Sequence, residues 1–464
     1  MLDYTLKIGL ASCRRWLPGK RTGIFNPDYA RANKKQVEDF VRTHYSDAQT
    51  SFTDLSFLND EGMMFDVRQA EPIAEEFKKQ KVDALFIINC NFGCEEVAAR
   101  LARLLQIPTL IWAPQDTIFE ADGTRYTDAQ CGLFAMSKQL TRYHVPFEHI
   151  ENCLVESPVF AKGFGQFLSV ACMVKNFRTL RVAQVGMRPR PFASVIFNEG
   201  ELVEKFGIDV VPVNMVAVTE IFEAVMKEKP ADLAADVQLL KDQYQDMGGL
   251  DDESLVRMAA FKETFRRIMQ ETGCQVICTE CWTCMLQTVN AMPCIAMSML
   301  ADEKLIVTCE SDVCGAITMA LLSCAARGKD IPFFGEFTVR HPENPNAELL
   351  WHCGPFGWSL KKPESPARIF NMKPSFQVKD GVYTIARLDS AEGNYSLLDG
   401  RFKAVDGPYT FGTYIWAEFD DYSKWEKKLI YGPYIHHMAE IAGDYTDVLE
   451  AFCRHVPGLT VDRP

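Results

Sequence analysis

Short uninterrupted apolar runs alternate with amphipathic stretches over the first third of the chain. Residues 6–10 read as a strand and residues 71–80 (EPIAEEFKKQ) as a helix; the continuous apolar run 82–88 then reads as a strand buried on both faces. A turn at 89–93 leads to a helix over 94–105 and a further strand over 108–112. Repeated strand–helix–strand order with fully apolar strands predicts a parallel sheet covered by helices on both faces.

The same grammar restarts in the middle third. Strands are expected at 180–186, 208–213, 275–279 and 305–309, and helices at 198–206 and 315–326. The stretch 231–270 is strongly helical with an interruption near Gly248-Gly249, and an apolar run at 332–337 reads as a further strand of this second sheet. From about residue 343 the texture changes. The runs 375–380, 382–388, 395–398 and 414–419 are short and separated by Asp-Gly, Glu-Gly and Gly-Pro turns, the mark of antiparallel hairpins. A helix over 446–455 closes the chain. The expected fold is α/β: two Rossmann-like, doubly wound parallel-sheet domains (1–160 and 161–342) and a C-terminal antiparallel, barrel-like β domain (343–464).

Composition narrows the functional classes. Of the 464 residues, 47% are hydrophobic and 24% charged, which suits a chain that buries real cores. No window approaches the roughly 18 apolar residues of a membrane span, and the first residues lack the pattern of a secretory signal, so a cytoplasmic protein is expected. The 16 cysteines then read as reduced thiols rather than a disulfide framework. A net charge of −13 argues against a nucleic-acid partner, which needs a basic surface.

Polar residues in an apolar setting concentrate between Cys278 and His352. Glu310 and Asp312 follow directly on the strand ending at Cys309, the edge at which open α/β sheets bind ligands. Asp312 also stands where it can cap the next helix. The run 331–335 likewise ends in Glu336, about one helix and one strand further on. Two carboxylates brought side by side repel unless a proton or cation intervenes, and a divalent metal is the natural neutraliser. Of only eight histidines, His352 precedes a glycine-rich turn and His436-His437 stands among aromatics, so these are the candidate additional ligands. Trp282 and Trp358 offer faces on which a sugar could stack, and Arg188 and Arg190 suit an anionic or hydroxyl-rich substrate.

The segment Cys309-Glu-Ser-Asp-Val-Cys-Gly-Ala316, followed by Phe334-Gly-Glu336 and His352-Cys-Gly354, resembles the metal-site segment of fucose and arabinose isomerases. Weaker likeness extends over 92–96, 112–116, 186–192 and 197–199, while the C-terminal region is short for that family. The resemblance implies an aldose–ketose isomerase that moves a proton between C1 and C2 of an open-chain sugar through a cis-enediol. It implies that Glu310, Glu336 and His437 bind the metal, with the two glutamates as acid and base. His352 matches a further ligand of the arabinose branch, and His436 is expected at the substrate. The implied cofactor is Mn²⁺, with Co²⁺ or Mg²⁺ as alternatives, and the implied assembly a homo-oligomer, a trimer or hexamer. Glu280 is the next candidate base should the pair not act.

Two other readings have a basis in the sequence. Two Rossmann-like domains also occur in sugar-binding proteins without catalysis. The spacing Cys278-x2-Cys281-x2-Cys284 is that of an iron–sulfur or zinc site, although the expected fourth cysteine followed by proline is absent.

Overall fold

A computed structural model of the chain describes residues 1–19 and 22–464, which fall into two compact units, Asp3–Lys175 and Asn176–Pro464, the latter with the first two residues. In the first unit, β1 (Leu6–Cys13), β2 (Thr50–Thr53), β3 (Ala84–Asn89), β4 (Thr109–Trp112) and β5 (Glu148–His149) form one parallel sheet in the order β2-β1-β3-β4-β5. The alternation within β3 shows why its run is apolar throughout. Leu85 and Ile87 pack with the helices Ala70–Lys79 and Glu95–Leu105 on one face, while Phe86 meets Phe160 and Phe164 of the helix Pro158–Phe177 on the other.

The second unit holds two sheets around one core. β6 (Arg181–Val185), β7 (Asp209–Val213), β8 (Val276–Thr279) and β9 (Ile306–Cys309) make a four-stranded parallel sheet in the order β7-β6-β8-β9. The chain then builds a mostly antiparallel sheet from β10 (Phe333–Arg340), β11 (Ala347–His352), β12 (Arg368–Phe370), β13 (Lys373–Gln377), β14 (Val382–Ala391), β15 (Asn394–Val405), β16 (Thr413–Glu418), β17 (His437–Ala442) and β18 (Leu459–Asp462). Pairing of β15 with β16 closes β16-β11-β10-β17-β14-β15 into a barrel, with no free edge among those strands. The longest hairpin, β14–β15, turns through Glu392-Gly393 with φ of 53° and 77°, the two left-handed residues that match a two-residue loop to the strand twist. Among the described residues no helix is long and apolar enough to cross a membrane.

One expected neighbourhood is corrected. The apolar run at 332–337 does not extend the parallel sheet: it opens the barrel as β10, antiparallel to β11 and β17, and β9 is left as the edge strand of its own sheet. The helix Val313–Ala325 explains the change. All thirteen of its residues are buried, because it packs on β8 and β9 on one side and on β14 and β17 on the other. A crossover helix returning to its own sheet keeps one face for water; this one has no polar face, so a second sheet covers it.

Gly315 permits that close packing. A Cβ built there would lie 2.5 Å from Cε2 of Phe334 and 2.7 Å from its Cζ. Gly315→Ala therefore sets an overpacking penalty of about 1–3 kcal/mol against the roughly 1 kcal/mol that a helix gains from alanine over glycine. A net loss is expected as a lower denaturant midpoint; a raised midpoint would show that the Phe334 ring yields freely.

Candidate active site

The site forms where β9 ends against the barrel. Cross-strand register places Glu336 of β10 directly opposite His437 of β17, so these side chains share a face without any loop to hold them. Glu310 arrives from the parallel sheet by a sharp turn: Glu310 and Ser311 both have left-handed backbone, φ 63° and 51°. Such conformations cost on the order of 1–3 kcal/mol each in residues with a Cβ. The turn is pinned by Ser311, whose Oγ donates to the carbonyl of Met187 and whose N–H donates to that of Thr279.

Asp312 does two things at once. Its Oδ1 accepts from the Gly315 N–H at 2.8 Å and caps the helix, as expected. Its Oδ2 meets Nδ1 of His437 at 3.0 Å and Nη1 of Arg387 at 2.5 Å. The Asp312 and Arg387 side chains are 1% and 2% exposed, and Arg387 also reaches Asp389 at 3.1 Å. Burial of Asp312 opposes its ionisation, yet the Arg387 guanidinium and His437 outweigh burial and hold the carboxyl well below its usual range.

With Nδ1 engaged by Asp312, the other nitrogen of His437 faces the glutamates: Nε2 lies 3.1 Å from Oε2 of Glu310 and 3.6 Å from Oε2 of Glu336. His436 Nε2 is 3.3 Å from the same Glu336 oxygen. The donor atoms of Glu336, His436 and His437 all lie within 4.8 Å of one another, which makes His436 a possible ligand and not only a substrate contact. His352 is buried, its ring centre 6.2 Å from that of His437, with Phe334 beside both. Burial alone would discharge His352, but Cys353, Glu336 and Glu310 push it up to about 9. Glu336 is likewise buried against its charge and is nevertheless drawn down to about 2 by His436 and His437. His437 is raised well above its ordinary value by Asp312 and the two glutamates, against its burial.

The donor set fits a metal ion. Glu310 Oε2, His437 Nε2 and His352 Nε2 are buried and make no well-aligned hydrogen bond among the described residues, the first two meeting as an ion-pair contact at 3.1 Å, an expensive arrangement unless something else satisfies them.

The other expected residues separate into two groups. Trp282 joins the site, its Nε1 donating to Oε1 of Glu310 at 3.0 Å and its ring 40% exposed. Arg188 and Arg190 lie on the loop that leads to Phe192, whose ring stacks on His437 at 5.6 Å and meets Trp282 at 6.5 Å. Arg188 donates only to loop carbonyls, and among the described residues neither arginine pairs with a carboxylate. Trp358, by contrast, packs between Tyr244 and Phe376 in the core and serves as a packing residue rather than a sugar platform. Glu280 has both oxygens engaged, by the Met187 N–H and the Thr283 hydroxyl, and pins the arginine loop. The Cys278-x2-Cys281-x2-Cys284 run is dispersed: Cys278 Sγ contacts the Ala183 carbonyl and Cys284 Sγ the Thr288 hydroxyl.

Sequence reasoning missed Arg387, Phe192 and Glu440. Arg387 left one trace, a cation inside the otherwise apolar run Val382–Leu388. Glu440 lies wholly buried on β17, where one oxygen accepts from the Gly335 N–H and burial raises its carboxyl well above the usual range.

Over residues 17–178 the chain matches the family described as fucose/sulfoquinovose isomerase, N-terminal domain. It is 24% identical over 399 residues to the sulfoquinovose isomerase of Priestia aryabhattai, covering 84% of this chain and 87% of that one. With the sulfoquinovose isomerase of Alkalicoccus urumqiensis the identity is 25% over 336 residues, 71% of this chain and 74% of the relative. That of Clostridium sp. (strain MSTE9) is 23% identical over 344 residues, 70% and 74% of the two chains.

The ion pair beneath the site gives a direct test. Arg387→Met keeps the volume but leaves the Asp312 carboxylate buried beside His437 without its guanidinium. A loss of about 3–5 kcal/mol is expected from stranding one partner of a buried pair, measured as a fall in the stability extrapolated from urea unfolding. A loss below about 1 kcal/mol, the scale of an exposed pair, would show that Asp312 does not depend on Arg387.

Proposed function

Because the chain is a divergent branch of the fucose-isomerase-like proteins and an aldose–ketose isomerase, we propose that it isomerises a sulfoquinovose-type sugar at a divalent metal held by Glu310, Glu336, His352 and His437. The observation that carries the reading is the set of three buried donor atoms on Glu310, His352 and His437, beside Glu336, that lack a well-aligned hydrogen bond among the described residues. Mn²⁺ is the first choice for a mixed carboxylate–imidazole set, with Co²⁺ or Mg²⁺ as alternatives. When bound, the ion supplies Lewis-acid polarisation of the sugar carbonyl, which acidifies the neighbouring C–H.

The chain's own residues do the rest. One carboxylate of the Glu310–Glu336 pair takes the proton from the carbon next to the carbonyl, and the other moves the hydroxyl proton, so that reprotonation on the adjacent carbon completes the exchange. Asp312 holds His437 with Nε2 turned toward the glutamates, the outer-sphere carboxylate–histidine arrangement that orients a ligating imidazole. Trp282 fixes Oε1 of Glu310, and Oε2 faces Nε2 of His437. Phe192 and Trp282 form an aromatic wall for the sugar, and the unpaired Arg188 and Arg190 on the same loop receive the negatively charged sulfo group.

Glu310→Gln and Glu336→Gln should each lower turnover by about 10²-fold or more, the usual scale of general acid–base catalysis. Solvent-deuterium exchange into the sugar, followed by NMR, should fall in parallel; exchange at the wild-type rate in both variants would place the base elsewhere. Arg188→Gln or Arg190→Gln should raise KM for sulfoquinovose while leaving an uncharged aldose unaffected, and equal effects on both sugars would remove the anion role.

Proton competition gives a pH test. His352 and His437 hold protons above their ordinary range in the metal-free protein, so at neutral pH a bound cation must displace them. Affinity for Mn²⁺ should rise with pH up to about 9, where His352 loses its proton unaided. Calorimetric titration in buffers of different ionisation enthalpy should show proton release; heats independent of the buffer would contradict the assignment of these imidazoles.

A further inference from the structure

Behind His352 stands a second group of metal-seeking atoms that the isomerase chemistry does not use. Cys281 lies in the loop after β8, Cys294 begins the helix Cys294–Asp302, Cys309 ends β9, and Cys353 follows β11. The first three are fully buried, and none of the four is in a disulfide. Four separate segments thus bring their thiols together. Cys294 Sγ and Cys353 Sγ are 3.7 Å apart, and the Cys309 thiol interacts electrostatically with those of Cys281 and Cys353. The ligand atoms of Cys309, Cys353 and His352 lie within 4.8 Å of one another, and Met297 Sδ is 4.0 Å from Cys309 Sγ.

Buried cysteines commonly act as small apolar side chains, scattered through a core wherever they fit. These do not scatter. Sulfur is the softest donor a protein offers, and a zinc ion held tetrahedrally at about 2.3 Å sets neighbouring sulfurs about 3.8 Å apart. The Cys294–Cys353 separation has that length. The hard carboxylate–imidazole cluster around Glu336 suits a different class of ion, so the two groups would sort metals by softness.

We propose that Cys281, Cys294, Cys309 and Cys353 form a structural site for a thiophilic cation, zinc(II), that ties the end of β9 to the end of β11. Binding releases the thiol protons to solvent and involves no change of oxidation state. The site does not rest on the assignment of the neighbouring carboxylates, and its failure would leave that assignment untouched.

X-ray absorption at the zinc edge decides it on the full chain, with one equivalent of zinc added in the presence of excess Mn²⁺. Sulfur scatterers at about 2.3 Å are expected; a shell of nitrogen and oxygen alone, or zinc removed by gel filtration, would overturn the proposal. Cobalt(II) gives a second readout. The wild-type protein and Glu336→Gln should both show the intense thiolate-to-cobalt charge-transfer band of a tetrahedral sulfur site, and Cys294→Ser and Cys309→Ser should lose it. An unaltered band in both serine variants would also overturn the proposal, and the zinc-edge measurement stands whether or not those variants fold.

Discussion

The ion pair between Asp312 and Arg387 is where the two sheets of the second unit become one site. Asp312 begins the helix that lies between them, and Arg387 comes from a barrel strand on its far side. Neither charge is tolerable alone at that depth, since desolvation of a single buried ion exceeds what any one hydrogen bond returns. Together they fix the helix start and the barrel wall relative to each other. The remaining lone pair of Asp312 then selects which nitrogen of His437 turns toward the glutamates. The geometry of the cluster is thereby inherited from a structural contact: the imidazole is aimed by a carboxylate whose own position is set by the packing of a helix.

Above that pair, the carboxylates of Glu310 and Glu336 and the imidazoles of His436 and His437 hold one another's charge in check. Glu336 is drawn below the usual carboxylate range in spite of burial by the imidazoles of His436 and His437 beside it. Without the His437 imidazole between them, the carboxylates of Glu310 and Glu336 would face one another in a low-dielectric pocket. The same groups that make the pocket receptive therefore hold it in repair.

Much of this was legible along the chain, and what was not has a common cause. The parallel strands declared themselves by uninterrupted apolar runs, and the hairpins by their turns. Glu310 and Glu336 were visible because each ends an apolar run, and Asp312 because it precedes a helix. The partner of Glu336 was misplaced: the strand after an all-apolar helix belongs to the next sheet, and the absence of any polar face on residues 313–325 was the missed sign. Arg387 could not be assigned from spacing, since its counter-charge lies 75 residues away across a topology that only the folded barrel defines. Trp358 shows the converse, a large aromatic whose residue type fits a sugar platform but whose neighbours make it a packing piece.

The left-handed backbone at Glu310 has a consequence for how this protein would respond to selection. Glycine and asparagine relax such a conformation, and against that strain the Glu310 carboxylate sets only its contacts with Trp282 and His437. Under screening for heat resistance alone, position 310 would drift toward those residues wherever the relief of strain outweighs those contacts. If turnover runs through Glu310 as proposed, its presence at that turn records a compromise between durability and work.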